Sequence, residues 1–142
     1  TAIFITGELS VSPEHLKEYL LSLPESEASY PFGPTPVVYK VGEKMFALAT
    51  VYRDRQIVNL KCDPHQAQQL RDVFTDVIAG YHMNKTHWNT VFIQGDVPDS
   101  EIERMIDHSY ALVVGGLPKK VREGMAVRHG REALYGQQEQ ER

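Results

Sequence analysis

The chain has 142 residues, a hydrophobic fraction of 42% and a formal net charge of −4. That suits one domain with one packed core, and the acidic total argues against nucleic-acid binding driven by overall charge. No apolar run approaches the roughly 18 residues of a membrane-spanning helix, and "AIFI" near the start lacks a basic lead, so neither a span nor a secretory leader is expected. The single cysteine, Cys62, excludes an internal disulfide framework and points to a reducing, cytoplasmic compartment.

Residues 1–11 read as a short strand or an arm. Helix one follows: Ser12 is the cap, Pro13 suits the first turn, and Leu16, Tyr19, Leu20 and Leu23 share one face before Pro24 ends it. "YPFGPTP" (30–36) is a connector, since prolines and glycine preclude regular structure. Three strands are predicted next. Val37–Val41 meets Lys44–Tyr52 across Gly42-Glu43, where a leading glycine favours a type II′ turn. Lys44–Tyr52 meets Ile57–Cys62 across "RDRQ". Val58, Leu60 and Cys62 share one face of the last strand, and Ile57, Asn59 and Lys61 share a mostly polar one, which predicts a sheet with one wet face.

Helix two opens at Asp63, with Pro64 first and Gln66 completing a capping box. Its apolar stripe runs Ala67, Leu70, Phe74, Val77, and Gly80 breaks it. "HMNKTHWNTV" (82–91) begins as a loop, and Thr90–Ile93 is a strand. Helix three starts near Pro98 to Ser100, with Ser100 and Glu103 as a second capping box. Ile102, Ile106, Tyr110 and Val113 form its buried face. "KKVREGM" is a last short helix, and 136–142 a polar tail. Helices and strands do not alternate, so the expectation is α+β: an antiparallel sheet with helices packed on one face, in one domain spanning 1–142.

Familiar catalytic patterns are missing. No CxxC, HExxH, GxSxG or Walker loop occurs, and Ser109 falls inside a helix. Cys62 reads as a small buried apolar residue. "VVGGLPKK" is a helix end with a basic turn. The stretch 82–91 stays open between two readings. Its polar residues either cap chain ends around a structural Trp88, or they recognise a ligand, with Lys85 on phosphate, His87 and the asparagines as polar contacts, and Trp88 as a stacking platform. The hairpin tips also stay open. Lys40 and Lys44 flank one turn and Arg53 and Arg55 the next, which suits two basic wings on a nucleic-acid backbone, yet Glu43 and Asp54 occupy the same tips.

"VVYKVGEKMFALA" (37–49), "NLKCDP" (59–64), "HMNKTHWNTV" (82–91) and "VPDSEIERMIDHSYALVVGGLPKK" (97–120), in this order, resemble the MmcQ/YjbR family over about residues 12–122. The resemblance implies a CyaY-like (frataxin-like) α+β fold and a double-wing, DNA-binding role, with no established catalytic residues, and no cofactor is expected. The positions it marks are Lys44, Phe46, Lys61, Lys85, His87 and Trp88. The acidic ridge that frataxins use for iron is thin here: Glu14, Glu18 and Glu25, interrupted by Lys17. Iron binding is therefore not carried over.

The expectation is a monomeric DNA-binding protein that takes no metal or membrane partner, with enzymatic activity left open. Lys40, Lys44, Arg53, Arg55, Lys61 and Lys85 would contact phosphates, with His87 and Trp88 beside them. The rivals are a small-molecule or anion pocket built from Lys44, Lys85, His87 and Trp88, and a protein-interaction module.

Overall fold

The computed structural model describes residues 12–81 and 83–136. The arm 1–11 and most of the polar tail lie outside them. The elements are α1 (Pro13–Ser22), β1 (Glu27–Ser29), β2 (Val37–Val41), β3 (Lys44–Tyr52), β4 (Arg55–Lys61), α2 (Pro64–Val73), β5 (Val77–Ala79), β6 (Trp88–Phe92), α3 (Asp99–Gly115), α4 (Lys119–His129) and α5 (Arg131–Tyr135). Six strands form one antiparallel sheet in the order β1-β2-β3-β4-β6-β5. No described helix is long and apolar enough to cross a membrane.

The helices cover one face, as an α+β fold requires. Ala47, Val58, Leu60, Val77 and Val91 point from that face into the core, where Leu16 and Leu20 of α1, Ala67 and Leu70 of α2, and Ile102, Ile106, Tyr110 and Val114 of α3 meet them. Two caps behave as their residue types dictate: Ser12 Oγ accepts from the His15 N–H at 3.1 Å, and Asp63 Oδ1 from the His65 N–H at 3.3 Å. The box at Ser100 does not form. α3 starts at Asp99 behind Pro98, with no side-chain cap. Asp99 and Glu101 in its first turn still suit the positive end of the helix dipole.

Both hairpin turns carry positive φ at both central residues, Gly42 (56°) and Glu43 (67°), then Arg53 (54°) and Asp54 (62°). That is the type I′ pattern, whose twist matches the flanking strands, rather than II′. Gly42 also docks the first tip on the α3–α4 junction. A Cβ there would lie 2.6 Å from Leu117 Cδ1.

Three further departures follow from tertiary context. α2 ends at Val73, so Val77 leaves the helical stripe and joins the edge strand β5. β1 and β5 are three residues each, too short for a periodic signal. The face predicted to be wet is dry at its centre: Ile57 is 0% exposed, Asn59 1% and Thr90 0%. The chain after β5 crosses that face. The Tyr81 ring stacks on Tyr52 with centroids 4.0 Å apart, and Phe92 stacks behind Tyr52.

β3 carries a bulge. Tyr39 pairs Ala47 and Lys40 pairs Met45, so Phe46 has no partner on β2. The extra residue turns Phe46 inward beside Ala47, where its ring meets Tyr110 edge-on at 5.4 Å.

Candidate functional site

The sequence concentrates chemistry in the loop joining β5 to β6, and that loop is tightly built. Asn84 Oδ1 accepts the backbone N–H groups of Thr86 (2.9 Å) and His87 (3.1 Å), a turn closed by its own side chain. Lys85 Nζ donates to the Gly80 carbonyl at 3.2 Å. Thr90 Oγ1 accepts the Tyr81 N–H at 2.7 Å and hydrogen-bonds Asn59 Oδ1, while Asn59 Nδ2 donates to the Tyr81 carbonyl at 3.3 Å. Gly80 is obligatory for the close crossing, because a Cβ would lie 2.9 Å from both Trp88 Cβ and the Trp88 carbonyl oxygen. Asn89 points to the helix side and donates to the Ala67 carbonyl at 3.3 Å. Asn84 and Asn89 are therefore structural.

What the loop presents is Lys85, His87 and the outer side of Trp88. Lys85 and His87 are exposed, and Trp88 is half-buried. Trp88 stands directly opposite Lys61 on β4, and the His87 carbonyl extends that ladder by accepting the Cys62 N–H at 2.8 Å. Among the described residues the His87 imidazole has no hydrogen-bond partner. No Asp or Glu occurs in residues 77–95 or 56–62, the segments that bear Lys61, Lys85 and His87.

Lys40 and Lys44 lie at the same end of the sheet, on β2 and β3. Both are exposed, but Lys40 faces Glu27 across the β1–β2 pair and shares a small pocket with Glu25 and Glu43. Arg53 and Arg55 lie at the other end, beyond Tyr52. The eight-residue step from Lys44 to Tyr52 sets the two hairpin tips roughly 27 Å apart at ~3.4 Å per residue. The tips therefore project from opposite ends of β3, and no pair of adjacent wings results. Arg55 is also committed elsewhere. Its guanidinium grips both oxygens of Asp76 at 3.2 Å, holding that carboxyl below the usual carboxylate range, and lies over the Phe92 ring. Asp76 and Asp96 then exchange hydrogen bonds through their backbone amides, so Arg55 belongs to a latch between loops. Arg53 sits over the Tyr52 ring.

Buried residues behind this surface hold it in place. Ser109 is fully buried, and its Oγ accepts the Lys61 N–H at 2.9 Å and donates to the Phe46 carbonyl at 2.6 Å. The β3–β4 register stops at Ala47–Leu60, so Ser109 fills the place of the next rung. Cys62 is buried, its thiol pushed up to about 11 by that burial, which keeps it protonated and unreactive. Among the described residues no three His, Cys, Asp or Glu side chains are grouped to hold a metal ion.

The YjbR family model matches residues 21–112. The chain belongs to the YjbR family. The YjbR match takes in the whole sheet, the 80–88 loop and most of α3, and stops before α4 and α5. Over 107 residues the chain is 37% identical to Escherichia coli O157:H7 YbdF, covering 75% of this chain and 88% of the relative. It is 36% identical over 107 residues to YjbR of E. coli K12, covering 75% and 91%. Both relatives carry the description uncharacterized protein. Among solved structures, Deinococcus radiodurans protein DR2400, of the DUF419 domain, superposes with a TM-score of 0.75 at 32% identity, covering 82% of this chain and 89% of that one. A Pseudomonas syringae protein at 24% identity and TM-score 0.65 shares the fold over 72% of this chain and 98% of its own.

Proposed function

We propose that this YjbR protein binds nucleic acid, DNA in particular, through the lysine end of its sheet. Lys61 and Lys85 contact phosphates, His87 donates beside them, and Trp88 packs against the backbone or a base. Lys44 and Lys40 extend the contact along the same end. The observation that carries this reading is Lys61 at the end of β4, facing Trp88 across the β4–β6 pair, with Lys85 and His87 on the loop that leads into Trp88 and no Asp or Glu in residues 56–62 or 77–95. In a chain of net charge −4 such a surface offers an anion local cations. Arg53 and Arg55 lie outside the contact, being distant and, for Arg55, neutralised by Asp76.

The test is anisotropy of a labelled DNA duplex at low salt, with Trp88 emission as a local second signal, Trp88 being the only tryptophan. Saturable binding with a change in Trp88 emission supports the reading. No binding at low salt, or binding untouched by the Lys61→Ala/Lys85→Ala double variant, rejects it.

A further inference from the structure

The helix side of the sheet carries a groove of about 990 Å³ lined by residues of α1, α2, α3 and α5. None of the lysines above lines it, and it does not depend on the nucleic-acid reading. Its size is at the upper end of small-molecule sites.

The lining combines aromatic faces with carboxylates. Tyr19, Phe74 and Tyr135 supply rings, and Asp72, Glu101, Asp107 and Glu132 supply four acids. Arg104 on the lining is held by Glu101 at 2.7 Å, and the Arg131 guanidinium lies over the Tyr135 ring at 5.2 Å. His108 adds no charge: burial favours its neutral form, and its Nε2 accepts the Asp63 N–H at 3.2 Å. Asp107 is open to the groove in surface area yet crowded by protein, so burial raises its carboxyl. It accepts the Tyr19 hydroxyl at 2.6 Å, and the like charge of Glu103 raises it further. Among the described residues no cation pairs with Asp107, and a carboxylate so placed beside aromatic rings is matched by an ammonium group on a hydrocarbon body.

We propose that this groove binds a small organic cation, an aryl- or alkyl-amine, with the ammonium on Asp107 and the hydrocarbon against Tyr19, Phe74 and Tyr135. Asp72 adds to the negative field without direct contact. An anion of the same shape would meet the like charge of Asp107.

The probe is 4-phenylbutylamine, titrated into 15N-labelled protein and followed by NMR, with 4-phenylbutyrate as the matched anion. Saturable shifts of the Tyr19, Phe74, Asp107 and Ala111 amides with the amine are expected, and affinity at least about tenfold weaker for the carboxylate. Asp107→Asn, which keeps the acceptor for Tyr19, should weaken amine binding about tenfold, the scale of one charge-assisted hydrogen bond. The amine–carboxylate comparison on the unaltered protein stays decisive if that variant does not fold. Equal affinities, no amine binding, or an unaffected Asp107→Asn variant overturn the proposal. So do shifts that follow protein concentration rather than amine, which would give the groove to a second copy of the chain.

Discussion

Ser109 and Lys61 are joined across the boundary between helix and sheet: the Ser109 hydroxyl accepts the Lys61 backbone N–H while donating to Phe46. One buried hydroxyl thus closes the ladder where the β3 bulge opens it, and fixes the strand end that carries Lys61. Ser109→Ala leaves a buried N–H and a buried carbonyl without partners. It should cost about 1–3 kcal/mol in chemical denaturation. A loss near zero would mean the strand end closes without it.

Asn59 and Thr90 hold the crossing of Tyr81 over the outer face. Thr90→Val keeps the shape and removes both hydrogen bonds. A loss of roughly 1–3 kcal/mol is expected, with faster hydrogen exchange at the Tyr81 amide. Unchanged exchange there would show that aromatic stacking alone holds the loop.

The Asp107 carboxyl titrates above its ordinary range because burial disfavours its charge. The folded chain therefore keeps this proton to higher pH than the unfolded chain, and stability falls as pH rises through the folded value. Asp107→Asn removes that penalty. Thermal melts should find the variant more stable than the parent near pH 7, and the difference should shrink as pH falls through the raised value and vanish well below it, near pH 2–3. A destabilised variant near neutrality would contradict this.

The Asp76 carboxyl moves the other way, held low chiefly by the Arg55 hydrogen bond. Its contribution to stability is full above the unfolded carboxylate value and is lost as pH falls through the depressed folded one. Arg55 is 42% exposed, so solvent screens the pair, and Arg55→Ala should cost at most ~1 kcal/mol at neutral pH. The cost should fade in acid. A loss that persists unchanged at low pH would place the effect in the packing of Arg55 on Phe92.

Much of this fold is legible in the chain because its signals are local. Ser12-Pro13 and Asp63-Pro64 start helices by chemistry within a few residues, and the Leu16–Leu20 face needs only the helical period. Ile57 and Asn59 could not be placed from their own strand, because their cover is Tyr81, some twenty residues on. Val77 continued a helical stripe by spacing alone, and pairing with β6 claimed it instead. The loop that drew attention through its polar residues spends Asn84 and Asn89 on its own backbone and on α2. Basic residues at both hairpin tips looked alike in sequence, but β3 separates them, and Asp76, far from Arg55 in the chain, neutralises one.

The central claim is that the lysine end, and not the arginine end, meets nucleic acid. The most direct measurement is the salt dependence of duplex DNA binding for Lys61→Ala/Lys85→Ala beside Arg53→Ala/Arg55→Ala. The lysine pair should lose affinity at all salts and flatten the log–log slope by about 2, one per phosphate contact. The arginine pair should leave the slope unchanged. A flattened slope in the arginine pair with none in the lysine pair would contradict the account.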